Sequence, residues 1–232
     1  MTAIRAVLFD LDGTLVDTRS ASWPLFERTN REFALGLDSQ QQFFELFAGN
    51  FYASFAAHCA DQRVASAALE HFLGLMRAHY DPPFIDGVIE VLATLAREYM
   101  LAIVSSNVHE TILRLLRTAG VDAHFARIYA GDTHPSKASA IRDFLAAEWR
   151  PSAACAELRF SPHEVVLVTD TTGDVGEALA SGIRAYGVTW GMHSAHKLDA
   201  AGAERVADQP RQLVEWINAT RVSAAECVSN RT

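Results

Sequence analysis

The sequence predicts an α/β fold, a doubly wound parallel sheet interrupted once by a block of helices. Three observations carry this. First, short apolar runs alternate with segments of helical period: Ala6–Phe9, Met100–Val104, Ile128–Ala130, Val165–Val168 and Ala185–Val188. Unbroken apolar runs of this length suit strands covered on both faces. Second, residues 17 to about 82 carry helical patterns and little that reads as strand. Third, three of the runs end directly in Asp10, Ser105 and Asp170. Right-handed crossovers place every C-terminal strand end on one edge, and ligands bind at that edge in such sheets.

The first run delivers Asp10 and Asp12, followed by Gly13 and Thr14. An apolar strand that ends in charge is costly unless something pairs the charge. Two convergent carboxylates repel unless a proton or cation lies between them, and Mg²⁺, a hard oxygen-seeking ion, is the natural candidate. The alternative is a strand-end turn with solvated acids.

Residues 17–82 read as a helical insert, with residues 1–16 and 83–232 forming the α/β core. Trp23, Phe26, Phe33 and Leu35 recur near helical spacing, Asp38 or Ser39 can cap a second helix, and Ala65 to Tyr80 forms a further block. This aromatic stripe is expected to be the insert's own core. Within it, Phe47-Ala48-Gly49-Asn50-Phe51 is a glycine-bearing turn. It is either a plain interhelical turn or a place where Asn50 reads a substrate.

The core resumes with a helix from Val88 to Glu98, the strand Met100–Val104 and the polar stretch Ser105-Ser106-Asn107. Ser105 and Asn107 can donate to an anion, or Asn107 can cap the helix His109–Thr118. Gly120 closes that helix. Lys137 precedes a helix expected over Ala138–Trp149, the wrong end for a structural cation. Residues 150–161 read as a loop. After Val165–Val168 come Thr169, Asp170 and, one helical turn on, Asp174, at the head of a helix expected over Val175–Ser181. Asp174 can share a cation or simply favour the positive helix end. A last helix opens at Pro210 and runs through Trp216, with a frayed tail from Arg221.

The chain of 232 residues is half hydrophobic with a net charge of -8 and no basic cluster, which argues against a nucleic-acid partner. Cys59, Cys155 and Cys227 fit neither a disulfide framework nor a zinc spacing. The expectation is a reducing, cytoplasmic setting with no signal peptide and no membrane span. His193 and His196 alone stand at close spacing among nine histidines and read as loop residues.

Asp10-Leu11-Asp12-Gly13-Thr14-Leu15 after an apolar strand resembles the first motif of the haloacid dehalogenase superfamily. Ser105, Lys137 and Asp170 with Asp174 match its other motifs in order and strand context. The insert after the first motif resembles the family's helical cap, a layout similar to phosphoglycolate phosphatase-like members. The resemblance covers nearly the whole chain except the tail. It implies Asp10 as nucleophile, Asp12 as general acid/base and Lys137 as the supporting cation. Ser105, Ser106, Asn107 and, from the cap, Asn50 would bind phosphate or substrate. Mg²⁺ would be held by Asp10, Asp12 through its backbone carbonyl, Asp170 and Asp174. The implied function is hydrolysis of a small phosphate monoester through an aspartyl-phosphate. A sugar phosphomutase or a non-catalytic binding protein are the alternatives, and the partner would be a small phosphorylated metabolite. Two positions depart from the pattern. Thr169 stands where the family usually has Gly before the fourth-motif Asp. Ala138 stands where phosphoglycolate phosphatase-like members usually have Pro, which weakens the case for phosphoglycolate.

Overall fold

The computed structural model describes residues 2–48, 51–149 and 159–229, with backbone alone from 222 onward. Gly49, Asn50, Cys155 and most of the expected 150–161 loop lie outside the described residues. The chain divides into two compact units, Met1–Leu15 with Phe84–Thr232, and Val16–Pro83.

The first unit is built on six parallel strands: β1 (Ala6–Phe9), β2 (Met100–Val104), β3 (Phe125–Tyr129), β4 (Val165–Thr169), β5 (Arg184–Val188) and β6 (Arg205–Ala207). Their order across the sheet is β3-β2-β1-β4-β5-β6. The order reverses beside β1, so a crevice opens past the ends of β1 and β4, the usual ligand position in doubly wound sheets. Register makes this concrete: Phe9 lies opposite Ile103 on one side and Val168 on the other. Ala6, Val7, Leu8 and Phe9 are at most 1% exposed although they alternate faces, so both sheet faces are covered. On one face Leu8, Val104 and Leu167 pack with Ile141, Phe144 and Val175. Each fully buried side chain of this kind contributes about 1.5–3 kcal/mol.

The second unit holds α1 (Thr18–Phe33), α2 (Gln40–Glu45), α3 (Phe51–His58) and α4 (Gln62–His79). The Asp17 side chain caps α1, Asp61 caps α4, and Ser39 and Gln42 form a reciprocal capping box on α2. The Asn30 side chain both donates to and accepts from the Leu37 backbone, closing the α1–α2 connection. The aromatic stripe forms the interior: Phe26 stacks on Phe43 at 4.1 Å and meets Phe72 edge-on at 5.5 Å. Phe26, Phe43 and Phe55 are at most 1% exposed.

The remaining helices belong to the first unit: α5 (Val88–Leu95), α6 (His109–Thr118), α7 (Lys137–Ala146), α8 (Thr172–Ala180), α9 (Ala195–Ala200) and α10 (Arg211–Ser229). Several depart from expectation. α5 stops at Leu95 and α7 at Ala146, leaving Trp149 to donate from Nε1 to the Phe144 carbonyl. β3 starts at Phe125 rather than Ile128, because an edge strand with exposed Arg127 has no apolar run to betray it. β6 and α9 were not expected at all. His196 therefore sits on a helix, not in a loop. α10 continues past Arg221 to Ser229, where a frayed tail was expected. Among the described residues no helix is long and apolar enough to cross a membrane.

Candidate active site

β1 ends at Phe9, and the next residue, Asp10, donates its N–H to the Val168 carbonyl at 3.0 Å. The carboxylate of Asp10 is thereby set at the crevice with 5% exposure. Lys137 is the first residue of α7, whose N-terminus is fixed by a Ser136–Ser139 capping box. It is buried, and its Nζ lies 2.6 Å from Asp10 Oδ1 and 2.7 Å from Asp174 Oδ2. A cation at a helix N-terminus opposes the dipole. Here two carboxylates more than offset that.

Asp170 follows β4 and is fully buried. Its Oδ2 accepts the Met192 N–H at 2.8 Å, and Oδ1 accepts from Thr14 Oγ1 at 3.4 Å. Two glycines make room for it. A Cβ on Gly13, which has φ +80°, or on Gly191 would stand 2.2 Å from Asp170 Oδ2. No side chain fits there without moving the carboxylate. Trp190 Nε1 donates to the Thr14 carbonyl at 3.0 Å, fastening the loop after β5 to the loop after β1.

Beyond β2, Ser105 is buried and its Oγ accepts the Asn107 N–H at 3.1 Å. Asn107 turns its amide to Asp12, Nδ2 to Oδ2 at 3.2 Å. It does not cap α6: Val108 is the cap residue, and Asp132 Oδ1 accepts the His109 N–H. Gly131 presses on this loop so closely that a Cβ would lie 2.1 Å from the Ser106 carbonyl oxygen. Ser106 itself is exposed. The first unit thus brings together Asp10, Asp12, Ser105, Ser106, Asn107, Lys137, Asp170 and Asp174.

α8 begins three residues earlier than expected because the Thr171 side chain accepts the Asp174 N–H and caps it. Asp174 is the third residue of the helix. Its Oδ2 accepts from Thr169 Oγ1 at 2.6 Å as well as from Lys137. His193 is buried and its Nδ1 accepts the Thr172 N–H at 2.9 Å, satisfying another donor of the first turn.

The electrostatics follow from crowding. Asp10 and Asp174 share the Lys137 ammonium, and the charges of Asp170 and Asp12 act on Asp10 as well. Burial, and then the neighbouring acids against the pull of Lys137, hold the Asp10 carboxyl well above its usual range. Burial pushes Asp170 up to about 7, opposed by the Met192 N–H and reinforced by Asp174. Burial alone would lower Lys137, but Asp10 and Asp174 overcome it and raise its pKa. Lys137 therefore stays charged, and the site carries more carboxylate than its own cation can balance. Among the described residues no three His, Cys, Asp or Glu side chains form a ready-made metal cage. An oxygen-seeking cation would instead find Asp10 and Asp170 with the backbone carbonyl of Asp12, a hard donor set that fits Mg²⁺.

The sequence reading gives no site role to Thr14, Trp190, Gly191, Met192 or His193. The available signal was topological: the loop after β5 leaves the same sheet edge as the loops after β1, β2 and β4.

A family model described as haloacid dehalogenase-like hydrolase matches residues 7–188. The chain belongs to this family. It is 29% identical over 231 residues to the protein named probable phosphatase IndB of Dickeya dadantii, covering 90% of this chain and 91% of that one. It is 26% identical over 223 residues to a phosphoglycolate phosphatase of Synechococcus elongatus, covering 92% and 97%. A solved haloacid dehalogenase-like family hydrolase from Streptococcus pneumoniae shares the fold, with TM-score 0.80 and 23% identity over 93% of this chain and 99% of that one. The chain is thus a hydrolase of this family, on its phosphatase side and similar to the phosphoglycolate phosphatases.

Proposed function

We propose that the chain hydrolyses a small-molecule phosphate monoester through an aspartyl-phosphate on Asp10, with Mg²⁺ as cofactor. The observation that carries this is the ion pair of buried Lys137 with Asp10 at 2.6 Å, beside a second buried acid, Asp170, held in a cradle of two glycines. Bound by Asp10, Asp170 and the Asp12 carbonyl, the cation would lower the repulsion between carboxylate and phosphate dianion and orient the phosphoryl oxygens.

An oxygen of Asp10 attacks phosphorus while the bond to the leaving alkoxide breaks. Asp12, protonated and steadied by Asn107 Nδ2, gives its proton to that alkoxide. Asp12 then removes a proton from water, which attacks phosphorus. The bond to Asp10 breaks, regenerating its carboxylate and releasing inorganic phosphate. Lys137 holds Asp10 in place and offsets charge as it moves to the phosphoryl group. Ser105, with Ser106 and Asn107, provides donors for phosphoryl oxygens. Asp174 serves Lys137 as its second carboxylate. Asn50, singled out in the sequence, is proposed to read the leaving group of the substrate.

A panel of phosphorylated metabolites and an aryl phosphate, assayed for phosphate release with and without Mg²⁺, tests this reading. Release should require the cation and fall to background in Asp10→Asn, with the melting temperature retained. Turnover by Asp10→Asn, full activity in chelator, or an isomeric product without phosphate release would each overturn it.

A further inference from the structure

Thr169 is the last residue of β4, at the position where the family usually has Gly. It is fully buried. The Thr171 N–H points at its Oγ1, at 3.3 Å, which leaves the hydroxyl proton free to turn elsewhere. It turns to Asp174: Oγ1 donates to Oδ2 at 2.6 Å. That same oxygen accepts from Lys137 Nζ at 2.7 Å, and Nζ reaches Asp10 Oδ1 at 2.6 Å. The result is a chain of four groups, Thr169, Asp174, Lys137 and Asp10, running from a strand end to the Asp10 carboxylate. A β-branched side chain with no exposure has little rotamer freedom, so the first link is rigid.

We infer that Thr169 is a positioning residue that fixes the Asp174 carboxylate on Lys137, and through it the ammonium on Asp10. The inference rests on the reading above in which Asp10 attacks phosphorus. Without the hydroxyl, Asp174 Oδ2 keeps only Lys137 among these donors, and the carboxylate can rotate about its own side-chain bonds. Lys137 then loses a fixed counter-ion and with it a fixed position over Asp10. The chain of contacts ends on Asp10 and includes neither Ser105 and Asn107, the phosphate donors, nor Asp170 and the Asp12 carbonyl, the remainder of the proposed oxygen donor set. Thr169 therefore bears on the chemical step and not on capture of substrate or cation.

The test is a set of variants of the full chain. Thr169→Val keeps the shape and removes the hydroxyl, and Thr169→Ser restores a hydroxyl on a slimmer side chain. Thr169→Val should lower kcat about 10-fold, the order expected for one hydrogen bond to a charged group, with KM within about 2-fold. Mn²⁺ affinity, read by the paramagnetic resonance signal of the free ion, should stay within about 2-fold. Thr169→Ser should recover most of kcat. In an Asp174→Asn background, Thr169→Val should add little further loss, because the two act as one unit. Additive losses, no rescue by Ser, or a loss carried by KM or by Mn²⁺ affinity would overturn the assignment. Melting temperatures separate a misfolded variant from a misplaced lysine. Asp10→Asn in parallel isolates the underlying reading: if it turns over, the mechanism falls, whereas if only the Thr169 pattern fails, the mechanism stands without this residue.

Discussion

Asp170 illustrates how much a single residue's setting changes its chemistry. As an ordinary strand-end acid it would ionise near 3.8; buried between Gly13 and Gly191 it does so at about 7. Between those values the folded protein holds a proton that the unfolded chain has lost. Its metal-free stability therefore declines as pH rises from about 4 to 7, and the full penalty applies above that window. A cation that takes the proton's place relieves the penalty. The increase in Tm on adding Mg²⁺ should accordingly be small at pH 5 and grow through pH 7 to pH 8, measured by calorimetry on chelated and Mg²⁺-loaded protein. An increase independent of pH would remove Asp170 from the donor set. The residue types at this site were legible in sequence, since Asp10, Asp12, Ser105, Lys137 and Asp170 each follow a strand or open a helix. The cradle was not, because Gly191 and the Met192 N–H lie more than twenty residues from the acid they hold.

At the scale of elements, legibility followed burial. β1, β2, β4 and β5 lie in the middle of the sheet and are apolar except at Thr169, which ends β4, and Arg184, which opens β5, so their composition announces them. β3 and β6 are edge strands whose exposed residues break the apolar pattern, and three-residue β6 offers almost no signal. Helix starts were misjudged where a side-chain cap decided them, as with Thr171 on α8. In the helical unit the aromatic pattern was decisive, and Phe26 is its centre, touching Phe43, Phe55 and Phe72. Phe26→Ala should cost about 3–5 kcal/mol through the cavity it leaves. Hydrogen exchange in α1, α2 and α4 should speed up accordingly. Unchanged exchange in those helices would mean that the unit does not depend on this ring.

At the scale of the whole chain, the site is assembled from segments about 95 and 160 residues apart in sequence. The parallel sheet makes them neighbours by placing β2 and β4 on either side of β1. A ligand at the strand ends should therefore act on all of them together. Mg²⁺ with inorganic phosphate should slow amide exchange at residues 10–14, 105–107 and 170–174 in parallel, since binding to the folded form stabilises each segment it ties down. Protection confined to one segment would argue against a shared site.

The sequence by itself determined the class of fold, the order of the chemistry-bearing residues and the rim on which they meet. These depend on apolar periodicity and on the handedness of crossovers, both local properties of the chain. The tertiary structure alone decided which partner each residue takes. Asn107 could have capped α6 and instead donates to Asp12. Asp174 could have been an acid serving only a helix end and instead accepts from Thr169 and Lys137. Thr169, which in sequence is only a bulkier residue where the family usually has Gly, lies within hydrogen-bond reach of both the Thr171 N–H and Asp174. Each of these choices turns on ångström-scale approach between elements distant in the chain, and no sequence spacing encodes that distance.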